Sequence, residues 1–147
     1  MNNEYSYILF MGLNLIYDYV LLNDQEKALT CIEKMLFIQR YVSAGQDKPV
    51  SFNSEIRCIV YILDLFKLRY ETAFKYFIDE DECINDIFIK KNSILRLVAQ
   101  VLHCNFSSCL DTPEIALFIK FSMIDHRMKL NICANATTLL DECIDVK

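Results

Sequence analysis

Glycine and proline are nearly missing from this chain: two of each stand among 147 residues, where average usage gives roughly ten and seven. A β-sandwich or barrel draws on both for its turns, so their scarcity disfavours an all-β fold and predicts helices. Clustered positive charge is missing as well. The formal charge is -5 and no basic run extends beyond Lys90-Lys91, which excludes the electrostatic footprint of a nucleic-acid or anionic-lipid binder. Histidine is confined to His103 and His126, and there is no Gly-rich phosphate loop and no nucleophile elbow. Triad and P-loop chemistries therefore lack parts, and the chain reads as non-enzymatic, with no cofactor.

Apolar residues, in contrast, make up 54% of the chain, above the usual range of about 45–50%. A single domain over residues 1–147 is the natural count, and at this size about two-thirds of the accessible surface is buried on folding. The apolar surplus exceeds what a small bundle requires and is assigned to a partner. The seven cysteines, at 31, 58, 83, 104, 109, 133 and 143, are odd in number and mostly sit in apolar stretches. That usage suits reduced, buried thiols in the cytoplasm better than a disulfide framework. The run Tyr5 to Leu22 follows Met1-Asn2-Asn3-Glu4, which carries no positive charge, and Asn14 and Asp18 interrupt it. It reads as a core helix, with neither a secretory signal nor a membrane span expected. The sequons at Asn105 and Asn135 read as chance occurrences.

Helix punctuation comes from caps. Asn23 followed by Glu26 has the form of an N-cap with its acidic partner, opening a helix through Ala28, Cys31, Ile32, Met35, Leu36 and Ile38 that ends near Ser43-Ala44-Gly45, with Gly45 left-handed. Gly45 to Asn53 is loop-like. Asn53 or Ser54 caps a helix over 55–68, and Arg69-Tyr70-Glu71 leads into another that reaches Ile78. The acidic run 79–82 suits a helix N-terminus or a solvated turn. A short helix through Ile84, Ile87 and Phe88 follows, then one from Ile94 to about His103 capped by Asn92 or Ser93. After a loop over 105–111, Thr112-Pro113-Glu114 has the form of a helix start. That helix is expected to reach about Ile124, and a last one to span Leu130 to Ile144. The expected fold is all-α, with seven or eight helices.

Three stretches share an acidic-x-Ala-apolar signature: Glu26-Lys27-Ala28-Leu29, Glu71-Thr72-Ala73-Phe74 and Glu114-Ile115-Ala116-Leu117, at spacings of 45 and 43 residues. Each is read as the start of a helix in a stacked hairpin repeat. Gly12, Leu15, Ile16 and Tyr19, then Ala28 and Ile32, fall where the tetratricopeptide motif places its residues, with Asn23 in the tight turn; Ala73-x3-Phe77 repeats the second part. Over residues 5 to 78 the chain thus resembles the tetratricopeptide fold, with hairpin one at about 5–43, hairpin two at about 54–78, and 81–147 as the remainder. The third unit departs from the motif, having Lys120 where the aromatic belongs. Within that family the chain looks most like the small cytosolic chaperones of bacterial type III secretion, of the needle-subunit type.

That resemblance implies an apolar groove holding an amphipathic helix of a small secreted or signalling protein, with room for a second co-chaperone. The groove positions, each at i, i+3, i+7 spacing or near it, are Phe10, Leu13, Tyr17 and Leu21; Ile59, Ile62 and Phe66; and Leu95, Val98 and Leu102. Tyr17→Asp with Phe66→Asp is expected to abolish capture while leaving helical content intact. The rival reading is a viral Bcl-2-like helical bundle that blocks host signalling, in which Arg96 meets a ligand helix's acid. Against it stand the absent tryptophan and the missing Asn-Trp-Gly-Arg motif. His103-Cys104-x4-Cys109 could supply soft zinc ligands, yet it lacks a clear fourth, with Asp111 the nearest candidate. A helix-end histidine beside incidental thiols is the expectation, and no metal is assigned.

Overall fold

The structure, a computed structural model, describes residues 3–45, 48–106 and 114–147. Helix α1 (Asn3–Leu21) and helix α2 (Gln25–Ser43) form an antiparallel hairpin. Strand β1 (Pro49–Ser51), helix α3 (Phe52–Tyr70) and strand β2 (Phe74–Glu80) follow, then β3 (Phe88–Lys90) and helix α4 (Ser93–Phe106). Strands β4 (Ile115–Ile124), β5 (Arg127–Ala134) and β6 (Thr137–Asp145) complete the order. Strands β1 and β3 pair antiparallel, and a four-stranded sheet runs β2-β4-β5-β6. Its β2–β4 pair is parallel, as a connection through α4 permits, and the other pairs are antiparallel.

The expected all-α fold is therefore wrong: four α-helices and six strands are present among the described residues. The error has a physical source in the turns. Strands β4, β5 and β6 are joined by two-residue turns at Asp125-His126 and Asn135-Ala136, and all four residues have positive φ, between 47° and 67°. Hairpin turns with positive φ at both positions ordinarily recruit glycine; here Asp and Asn, which tolerate the left-handed region, take the first place in each. Glycine scarcity thus excluded no hairpin. Along β4, Leu117, Ile119 and Phe121 are buried, and along β5, Met128, Leu130 and Ile132, a period of two that packs one sheet face against the helices. Lys120 and Ser122 in β4, and Arg127, Lys129 and Asn131 in β5, alternate with these buried residues, a strand period that the helical reading of 114–144 passed over.

The repeats dissolve in the same way. Only Glu26-Lys27-Ala28 opens a helix; Glu71-Thr72-Ala73 is a 3-10 turn after α3, and Ile115-Ala116-Leu117 begins β4. The second and third signatures meet in the sheet, where Phe74 pairs with Ile115 and Lys75 with Ala116. The helix expected to reach Ile78 is β2. Residues 84–88 give a 3-10 turn and the start of β3, and the helix expected over 130–144 is β5 and β6. In the acidic run, Asp79 and Glu80 end β2, and Asp81 accepts from the Met123 amide at 3.0 Å. Thr112-Pro113 lies outside the described residues, as do Asp47 and most of the loop expected over 105–111.

Of the expected caps, Asp24 rather than Asn23 accepts from the Lys27 amide, at 3.1 Å, while Asn23 takes φ 57° in the turn before it. Ser51 rather than Asn53 or Ser54 caps α3, accepting from the Ser54 amide at 3.3 Å. Gly45 is not left-handed, since the chain leaves α2 through extended Ala44. Only Cys31 and Cys58 are buried among the six described free thiols; Cys83, Cys104 and Cys143 are exposed.

Two features organise the interior. The fully buried Phe66 ring lies 5.7 Å from Phe106, 5.9 Å from Phe74, 6.0 Å from Tyr70 and 6.1 Å from Tyr7, joining α1, α3, β2 and α4. The second is Glu55, also fully buried. Its Oε1 accepts from the amides of Ile94 (2.7 Å) and Leu95 (2.9 Å), and its Oε2 from the Asn92 amide and the Tyr41 hydroxyl, both 2.8 Å. Helix α4 is thus capped by a carboxylate from another helix, on the end where its dipole favours negative charge.

Burial also sets how the fold responds to alkali. Desolvation, then the charge of Glu55, pushes the Cys58 thiol from its ordinary 9.0 up to about 12, and burial raises the hydroxyls of Tyr41 and Tyr76. As pH rises through the ordinary values, the unfolded chain releases these protons while the folded chain retains them, so stability falls with pH. The urea midpoint is expected to hold up to about pH 8 and then decline. Cys58→Ala, compared with its own neutral-pH value, should show a shallower decline. A midpoint independent of pH through pH 9.0 to about 12 would contradict the burial of these groups.

Candidate functional site

The ten side chains expected to line one groove divide into two populations. Phe10, Leu13, Tyr17 and Leu21 are 59–67% exposed on α1, on the side away from the buried Ile8, Met11 and Leu15. Ile59, Ile62 and Phe66 on α3, and Leu95, Val98 and Leu102 on α4, have no exposure at all. These six are core, and no partner reaches them in the folded molecule. A single spacing describes an outer stripe and an inner one equally well, and spacing alone cannot separate them.

The structure adds exposed apolar residues that sequence reasoning did not place in the groove. On α2, Ala28, Cys31 and Ile38 are buried, whereas Leu29, Ile32 and Leu36 are exposed. The apolar residues of this helix thus form two neighbouring stripes, one buried and one in solvent. Val20 and Leu22, at 62% and 74% exposed, carry the apolar surface to the turn between the helices. Gly12, in the middle of α1, lies against Met35 of α2, and a Cβ there would run into the Met35 side chain. The missing Cβ lets Met35 pack closely against α1 at this point. Asp18, Glu26, Lys27, Glu33 and Arg40 are exposed on the two helices, a border of mixed charge. Asp18 pairs loosely with Arg69 at 3.8 Å, and Lys27 with Asp24 at 3.4 Å.

A cleft of about 740 Å³ opens between α2, α3 and β2, with Tyr19, Lys34, Asp64, Glu71, Phe74 and Tyr76 among its walls. In it Asp64 accepts from the Lys34 ammonium at 2.8 Å through one oxygen and from the Tyr76 hydroxyl at 2.7 Å through the other. Burial and that hydrogen bond raise the Tyr76 hydroxyl above its ordinary value. Both carboxylate oxygens are engaged internally, so the triad braces β2 against α2 and α3 and presents no free general base. Tyr76→Phe is expected to cost about 1.5–3 kcal/mol, the range for a hydrogen bond to a charged group, read as a lower urea midpoint; an unchanged midpoint would show the triad to be idle.

For the zinc-like cluster, the His103 ring is packed edge-on against Tyr7 with centroids 5.4 Å apart, and Cys104 is exposed. Cys109 and Asp111 lie outside the described residues. Among the described residues no three His, Cys, Asp or Glu side chains converge as metal ligands, and no helix is long and apolar enough to cross a membrane. Arg96 stands in the first turn of α4, exposed, rather than in the middle of a helical bundle. The chain matches no protein-family model and no curated protein.

Proposed function

We propose that the protein is a non-catalytic binding module that holds an amphipathic helix of a partner protein on the outer face of its α1–α2 hairpin. The observation that carries this reading is the concentration of exposed apolar side chains: among the described residues, nine of the thirteen large ones in solvent lie between Phe10 and Leu36. Together they offer roughly 1,000 Å² of apolar surface, above the 300–600 Å² of an ordinary monomer's largest patch and the about 800 Å² per partner of a stable interface. Phe10, Leu13, Tyr17 and Val20 follow 3-4-3 spacing, the seam by which one helix receives another. Their aromatic members are the residue types that anchor interfaces. The partner helix lies on the outside of this hairpin instead of in a groove lined by three helices.

A photo-activated crosslinker at position 13 or 17, used in the native cell, tests this. The expected product joins either position to a helical segment of a second protein, while the same probe at Phe118, an exposed apolar residue of the sheet, gives none. Equal yields from all three positions, or no product from 13 and 17, would contradict the assignment. So would a product joining two copies of this chain, which would make the face a self-association surface.

A further inference from the structure

The two edges of the sheet β2-β4-β5-β6 are finished differently. At the β6 edge, Ile89 of β3 bridges to Val146, and the Lys147 amide donates to the Phe88 carbonyl at 2.9 Å. The charged residues of β6 itself are all acidic, namely Asp141, Glu142 and Asp145, so two copies of that strand laid side by side would repel. The β2 edge is seven residues long, and among the described residues no strand pairs on its far side. Phe74, Lys75, Tyr76 and Phe77, from both faces of β2, line the cleft of about 740 Å³, which therefore opens along this edge. A bare edge of this kind is a template for another strand.

Which backbone groups point outward follows from the ladder. The Asp81 amide donates to the Phe121 carbonyl of β4 at 3.2 Å, and the direction of the backbone groups alternates along a strand. The odd-numbered residues of β2 thus bond to β4, and Tyr76 and Ile78 present their N–H and C=O groups at the edge. Phe74, Tyr76 and Ile78 are buried or half-buried on the helix side, while Lys75, Phe77 and Asp79 are exposed on the outer face. There Phe77 stacks on Phe118 of β4 with ring centroids 4.9 Å apart, and Asp79 pairs loosely with Lys120 at 3.6 Å. Lys75 has no ion pair among the described residues.

We propose that two copies of this chain join through their β2 edges, antiparallel about a two-fold axis at Phe77, and merge their sheets into one. This register sets Tyr76 opposite Ile78 of the second copy, where the outward backbone groups exchange hydrogen bonds. Phe77 meets Phe77 of the second copy in a closely spaced pair, so the two Phe77–Phe118 stacks become one row of four rings. Lys75 falls opposite Asp79 of the second copy, twice over by symmetry, which gives the unpaired lysine its partner. Sliding the copies by one step in either direction takes Lys75 away from Asp79 and puts Phe77 opposite a charge. Charges on an edge ordinarily guard it against pairing; here opposite signs placed evenly about Phe77 admit one arrangement with a second copy. None of these residues lies on the α1–α2 hairpin, so the inference stands apart from the reading of that face. Phe118 meets its own Phe77 and stands two strand spacings, roughly 10 Å, from that of the second copy, so a probe at 118 still yields no product between chains.

Equilibrium sedimentation at micromolar chain concentration tests this. The parent is expected to weigh twice the 17.3 kDa of the chain. Lys75→Glu and Asp79→Lys each set like charges opposite one another and should weaken the dimer by at least roughly tenfold. An equimolar mixture of these two variants restores opposite charges at both places and should regain the doubled mass. Both positions are exposed, so each variant should melt near the parent. Leu13→Asp with Tyr17→Asp, on the other surface, should leave the dimer intact. A monomeric parent, a dimer indifferent to both charge variants, a mixture that stays monomeric, or a mass that climbs past twice the chain would each overturn the inference. Loss of the dimer in Leu13→Asp with Tyr17→Asp alone would move self-association to the hairpin and overturn it as well.

Discussion

Phe66→Asp leaves no folded protein at 25 °C. Its ring has no exposure and lies within 6.1 Å of four other aromatic rings, counted between centroids, from four different elements. Truncating a buried Phe costs about 3–5 kcal/mol, and an unpaired buried carboxylate adds several more. A domain of this kind has only about 5–15 kcal/mol in total. Circular dichroism should show loss of helix signal, and NMR the collapse of amide dispersion. Tyr17→Asp alone, at a position 63% exposed, should match the parent in both. The pair Tyr17→Asp and Phe66→Asp therefore does not test a binding groove, as the sequence suggested: it would lose its partner by unfolding. A folded Phe66→Asp protein would contradict the core described above.

Glu55→Ala is expected to lower stability by about 3–5 kcal/mol, the range for removing one member of a buried charged network. The substitution strands three amide donors at the start of α4 and the Tyr41 hydroxyl, with no solvent at Glu55 to replace the carboxylate. Glu55→Gln keeps the length but replaces one acceptor oxygen by an NH₂ group that faces other donors. It should fall between the parent and Glu55→Ala. Urea unfolding with an unchanged denaturant slope checks both. A loss below about 1 kcal/mol for Glu55→Ala, the value of a single ordinary hydrogen bond, would show that the network is not a structural anchor.

These two residues show where the sequence was legible. Helices α1 to α4 were readable because their information is local: apolar residues at helical spacing, and polar residues near each start. What was not readable depended on distant parts of the chain. The carboxylate of Glu55 is 39 residues from the amide of Ile94 that it caps, so local cap chemistry pointed to Asn92 and Ser93 instead. The sheet was missed because Asp125-His126 and Asn135-Ala136 make glycine-type turns without glycine. It was missed also because Ile119-Lys120-Phe121-Ser122-Met123 and Arg127-Met128-Lys129-Leu130-Asn131-Ile132, which alternate with a period of two, were read at helical spacing.

The candidate site divides along the same line. The stripe Phe10, Leu13, Tyr17 and Leu21 was legible as a face, and its exposure followed only from which side of α1 the core occupies. Ile59, Ile62 and Phe66 have the same composition and nearly the same spacing, and α1, β2 and α4 cover them. Leu29, Ile32 and Leu36 differ from their buried neighbours by a single position around the helix.

The measurement that bears most directly on the central claim is capture of the crosslinked partner by the purified chain, compared between the parent and a Leu13→Asp, Tyr17→Asp double variant. Both positions are about 60% exposed and surface changes of this kind usually alter stability by less than about 0.5 kcal/mol, so the melting temperature should stay near that of the parent. The account predicts that binding falls by at least roughly a hundredfold, because two charges enter the apolar seam of a helix pair. Undiminished capture by a double variant that melts like the parent would contradict the claim that the outer face of the α1–α2 hairpin is the binding surface.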